Sequence, residues 1–120
     1  MPAYFDNRIE LHEHAGQLCV YAGPQLIGQT DTALRLAERG YADRFYLPWS
    51  AIESHCLQRS DKQTHCPYKG DTRYYHVVID DVSYDNAAWV YPQPRSEMAA
   101  IAGRIAFDHP QVTLEIAHRQ

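Results

Sequence analysis

The sequence predicts a mainly β domain (α+β) built of antiparallel strands with one helix in its C-terminal half. Three observations carry that expectation. Apolar and polar residues alternate over most of the chain, Gly, Pro and Asp bound the alternating runs, and only one stretch shows a helical apolar period. At 120 residues, 45% of them hydrophobic and 22% charged, the chain has the length of one domain and enough apolar surface to bury a core without a disulfide or metal staple. No linker, repeat or low-complexity tract divides it, so residues 1–120 read as a single domain, with 1–7 a loose lead-in and the core at about 8–118.

Each element has its own local reason. Ile9 and Leu11 alternate with Arg8, Glu10 and His12, predicting a strand over 8–14. Residues 17–22 keep the same period, and Gly23-Pro24 turns the chain into Leu26 and Ile27, a hairpin signal. Residues 31–40 read two ways. Asp31 can cap a helix that Gly40 ends, yet Leu34 and Leu36 flank Arg35 as they would in a half-buried strand. Residues 44–47 form an aromatic strand stopped by Pro48, which opens a short helix near 49–53. Residues 72–79, with Tyr74, Tyr75, Val77, Val78 and Ile79, have the composition of a strand, and Asp80-Asp81 turns it toward Val82 and Tyr84. Over 96–107, Met98, Ile101, Ala102 and Ile105 recur at helical spacing, with Ser96 as cap and Glu97 in the first turn, predicting the one helix. Val112, Leu114 and Ile116 alternate as a last strand.

Composition excludes several function classes. A net charge of −4 argues against binding nucleic-acid backbones, and although aromatic residues on a sheet suit base stacking, no basic stripe accompanies them. No apolar run reaches the length of a membrane helix. Three cysteines cannot all pair within the chain and no apolar leader opens it, so a reduced, cytoplasmic setting is expected. Cys19 and Cys56 read as packing residues.

The densest chemistry lies in Thr64-His65-Cys66-Pro67-Tyr68-Lys69-Gly70 and in Ala87-Ala88-Trp89-Val90-Tyr91-Pro92. With Phe45-Tyr46-Leu47-Pro48, Ser60-Asp61, Ile101 and Phe107, these strings resemble the domain-of-unknown-function family 427, a bacterial and fungal family, over about 17–116. The resemblance implies a β-tent fold and an extended conformation for the segment 33–38. It also brings a nucleotidyltransferase label, but the sequence has neither a Gly-Ser pair followed by spaced aspartates nor a Gly-x-x-x-x-Gly-Lys phosphate loop.

Cys66 and Lys69 are the candidate catalytic residues: Cys66 as a thiolate, Lys69 as the positive charge that folds back toward it. Neighbours on an extended chain face opposite ways, so His65 is poorly placed as a base. The competing reading makes Cys66 a small buried residue before a proline turn. Tyr68, Lys69, Arg73, Tyr75, Trp89 and Tyr91 are the candidate ligand-binding residues, an ammonium among aromatic faces that suits a small anionic or planar ligand. Arg73 joins them if Tyr75, Val77 and Ile79 face inward; if Tyr74, His76 and Val78 do, Arg73 is solvated. His55-Cys56 and His65-Cys66 have the wrong spacing for a zinc site, so no metal and no cofactor is expected. Two functions follow. One is a small-molecule cleft, with thiol or lysine chemistry available to it; the other is an interaction module, homodimeric or otherwise, using the same aromatics.

Overall fold

The computed structural model describes residues 3–5 and 9–117, the side chains of 3–5 and 117 excepted. In chain order the strands are β1 (Ala3–Phe5), β2 (Ile9–Glu13), β3 (Gln17–Ala22), β4 (Gln25–Thr30), β5 (Leu34–Glu38), β6 (Arg44–Tyr46), β7 (Leu57–Cys66), β8 (Gly70–Ile79), β9 (Val82–Val90), β10 (Ile105–Phe107) and β11 (Val112–Ala117). They form three sheets, ordered β1-β2-β5-β6, β11-β3-β4 and β10-β9-β8-β7. Every pairing described is antiparallel. The domain is mainly β, and no helix among the described residues is long and apolar enough to cross a membrane.

Two apolar clusters share one wall. Leu18, Val20 and Ala22 of β3 meet Val77 of β8 and Ile105 and Phe107 of β10 in the larger core. Ile9 and Leu11 of β2, Leu36 of β5 and Tyr46 of β6 meet Trp89 and Ala106 in the smaller. The shared wall is β9. Ala88 and Val90 enter the first cluster while Trp89 and the following Tyr91 enter the second, because successive side chains on a strand point to opposite faces. A strand buried on both faces reads as a continuous apolar run, and Ala87-Ala88-Trp89-Val90-Tyr91 is one.

The structure corrects two expectations. The helix over 96–107 is a 3-10 segment, Ser96–Ile101, followed by a turn and β10. An apolar spacing of three fits the tighter 3-10 turn as well as an α-helix. Gly103, at a φ of 71°, ends the coil, and reciprocal 2.9 Å backbone bonds between Ile105 and Leu47 hold the next residues extended. Ser96 does not cap the segment; its hydroxyl reaches Glu97 instead. Of the lead-in, Ala3–Phe5 pairs with β2, whereas Met1, Pro2, Asp6, Asn7 and Arg8 lie outside the described residues, as do His118, Arg119 and Gln120 at the other end. The second correction is β7, ten residues of strand in a polar stretch where none was expected. The short helix near 49–53 is a 3-10 turn at Trp49–Ala51, with a second at Ser54–Cys56.

Candidate functional site

β7 and β8 form a long hairpin whose tip is the Cys66-to-Gly70 string. The Lys69 amide donates to the Cys66 carbonyl at 3.2 Å, and the Arg95 amide donates to the Lys69 carbonyl at 2.9 Å, so the tip is fastened to the segment after β9. Gly70 is required there. It sits at a φ of 117°, and an added Cβ would stand 3.2 Å from Pro94 Cα.

Beneath the tip lies a cleft of about 400 Å³ into which Cys66, Lys69, Trp89 and Tyr91 converge. Its opposite wall comes from the first sheet, with Glu38 at the end of β5 and Arg44 and Tyr46 on β6. The Lys69 ammonium donates to Glu38 Oε1 at 2.7 Å, with the two side chains only 11% and 13% exposed. The Trp89 indole N–H donates to the Tyr46 hydroxyl at 3.2 Å. Burial pushes both the Tyr46 and Tyr91 phenols well above the usual tyrosine pKa, so both are neutral donors at ordinary pH.

The cleft has a cationic rim resting on aromatic faces. Arg44 Cζ stands 5.6 Å from the Trp89 ring centroid and Lys62 Nζ 4.4 Å from that of Tyr74. Tyr74 and Trp89 are cross-strand partners, their rings 6.0 Å apart. A bulge in β7 between Arg59 and Gln63 brings Lys62 to this position. The Ser60 hydroxyl fixes the bulge, accepting from the Lys62 amide at 3.0 Å and donating to Asn86 Oδ1. Asn86 itself takes a positive φ of 51°, and its amide donates to His76 Nδ1 at 3.0 Å.

The other sequence candidates lie elsewhere. Tyr75 points into the larger cluster and meets Trp49 edge-on at 5.1 Å. Tyr68 packs against the smaller cluster without lining the cleft. Arg73 is exposed in a separate groove with Gln63, Asp71 and Gln93, because the β7–β8 hairpin runs on past the core on which Tyr75 and Val77 sit. That groove, at about 460 Å³, is larger but has no Phe, Trp or Tyr in its lining, and the same holds for one of equal volume beside Leu26 and Cys56. Among the described residues no three His, Cys, Asp or Glu side chains gather to hold a metal ion. His65 bonds Asp71 at 2.6 Å and the Cys56 thiol donates to the Glu53 carbonyl at 2.8 Å.

Sequence reasoning missed Glu38, Arg44, Tyr46, Lys62 and Tyr74. Their nearness depends on sheet order and on a bulge, neither of which a single chain displays. The nearest signal in the sequence is Ser60-Asp61, whose serine anchors the bulge.

The architecture is thus an antiparallel β domain carrying a polar-floored, aromatic-walled cleft between two of its sheets. The chain belongs to the family described as "Domain of unknown function (DUF427)", whose model matches residues 10–118. A comparison with curated proteins found no match.

Proposed function

We propose that the domain binds a small planar or anionic molecule in the cleft beneath the hairpin tip. One observation carries this reading: Cys66, Lys69, Trp89 and Tyr91, from two strings far apart in sequence, meet on one concavity of about 400 Å³, a size suited to a metabolite. Packing alone does not explain a buried ion pair, a thiol and two cations placed over rings. In this reading Lys69, bonded to Glu38, acts as a fixed positive charge rather than as a nucleophile. Cys66 is the thiol a bound molecule meets. Trp89 and Tyr91 are 9% and 4% exposed, which suits the inner wall of a cleft better than the face of an interaction module.

The test is a titration of ¹⁵N-labelled protein with small planar fragments. Shifts are expected at the Trp89 indole N–H, at Cys66 and at Tyr74. Shifts confined to the Arg73 groove or to the groove beside Cys56, or a particle size that rises with concentration while no fragment binds, would sink the proposal.

A further inference from the structure

We infer that the ligand is a planar monocarboxylate, its ring against the Trp89–Tyr74 pair and its carboxylate received by the Tyr91 hydroxyl and the Lys62 ammonium. The inference rests on the ligand-binding reading above and adds the chemical class.

It comes from counting the cleft's donors and acceptors. Both carboxylates in the lining are occupied, Glu38 by Lys69 at 2.7 Å and Asp108 by Arg44 at 3.1 Å. The donors are not. Tyr91 is 96% buried by its 4% exposure, lines the cleft, and its hydroxyl has no hydrogen-bond partner among the described residues. The Tyr46 oxygen accepts from Trp89, but its own hydrogen has no acceptor among them. Lys62 faces the Tyr74 ring and has no carboxylate partner there. The Tyr91 hydroxyl opens to the cleft and Lys62 to solvent, neither with an acceptor among the described residues, whereas each lining carboxylate already holds a cation, so a guest that brings acceptors gains most there.

Charge narrows the guest further. Arg44, Lys62 and Lys69 against Glu38 and Asp108 leave one positive charge in excess, which one carboxylate balances. A phosphate dianion would overshoot, and its second charge would face Glu38, whose field already helps raise the Tyr46 and Tyr91 phenols. Planarity follows from the aromatic lining: Trp89 and Tyr74, cross-strand partners with ring centroids 6.0 Å apart and planes tilted by 39°, offer a flat conjugated ring a face of one and an edge of the other.

Calorimetric titration with 2-naphthoate, 2-naphthamide, 2-naphthylmethylammonium and 2-naphthyl phosphate tests this. The carboxylate should bind about tenfold more tightly than the amide or the ammonium, the worth of one charge-assisted hydrogen bond. It should also bind more tightly than the phosphate. Tyr91→Phe, which keeps the ring and its packing, should lose about fivefold to tenfold for the carboxylate and little for the amide, and Lys62→Gln, on the surface, should lose a similar factor. Melting temperatures measured alongside show that both variants fold. Equal binding of all four probes, preference for the phosphate, or unchanged carboxylate affinity in folded Tyr91→Phe overturns the inference and leaves the cleft a binding site. Failure of every probe to bind overturns the ligand-binding reading and the inference together.

Discussion

The Lys69 ammonium stands 2.7 Å from the Glu38 carboxylate, each side chain little more than a tenth exposed, and the pair joins the hairpin tip to the end of β5. It is therefore one of the polar ties between two sheets, with the Trp89–Tyr46 hydrogen bond and the Arg44–Asp108 ion pair. A buried pair of this kind adds little net stability, but losing one partner strands the other charge.

Lys69→Ala should accordingly destabilise the fold by about 3–5 kcal/mol, and Glu38→Ala by a similar amount. The double variant Glu38→Leu/Lys69→Met should recover most of the loss. Urea unfolding of the four proteins measures this; two single losses that simply add in a double variant would show that the pair is not coupled.

The Trp89 indole donates to Tyr46 inside the smaller cluster. Tyr46→Phe removes the acceptor and leaves a buried N–H without a partner, so it should cost about 1–3 kcal/mol. Trp89→Phe in the Tyr46→Phe background should cost less than Trp89→Phe alone. A thermodynamic cycle on these variants reads the coupling directly.

Alkaline titration gives a pH test with a definite sign. Burial raises the Tyr46 and Tyr91 pKa values above the unfolded value near 10. The stability they contribute is fully present below that value and is lost as pH climbs beyond it toward the folded values. Tyr46 and Tyr91 should therefore ionise only with cooperative unfolding, read as a step of phenolate absorbance that coincides with loss of near-ultraviolet dichroism. Ionisation of Tyr46 and Tyr91 near pH 10 while near-ultraviolet dichroism stays native would contradict this.

The three thiols should separate by reactivity. Cys56 is buried, its thiol bonded to the Glu53 carbonyl and pushed up in pKa by burial, whereas Cys19 and Cys66 are half-buried. A disulfide reagent added to native protein should label Cys19 and Cys66 first and Cys56 only on unfolding. A cleft ligand should protect Cys66 and leave Cys19 unchanged, which peptide mapping distinguishes.

Much of the sheet structure was legible because it rests on short-range rules. The alternation at Leu18, Val20 and Ala22 and the turn at Gly23-Pro24 predict β3 and β4, and burial of all three apolar residues follows. The error at 96–107 has a local cause as well: spacing alone does not separate a 3-10 turn plus a strand from an α-helix, and the deciding contact, Ile105 with Leu47, spans more than fifty residues. β7 hid because an exposed edge strand shows no buried period to find. Of the cleft, Cys66, Lys69, Trp89 and Tyr91 were visible as unusual residues in two strings. Glu38, Arg44 and Lys62 were not, since charged residues at strand ends, as the first two are, or in a mid-strand bulge, as Lys62 is, look solvated until sheet order brings them together.

β9 serves two interiors at once, and this restricts how the chain can vary. Deleting or inserting one residue between Ala87 and Tyr91 would send the indole into the space shaped for Ala88 and Val90, and a small side chain into the space now holding the indole. Neither interior could absorb that alone. The segment is thus length-locked, and changes in cleft shape must come from substitution along it or from the walls that face it. The hairpin tip has no such freedom either, because Gly70 rests against Pro94; the loop carrying the exposed Tyr41 is where extra residues would cost least.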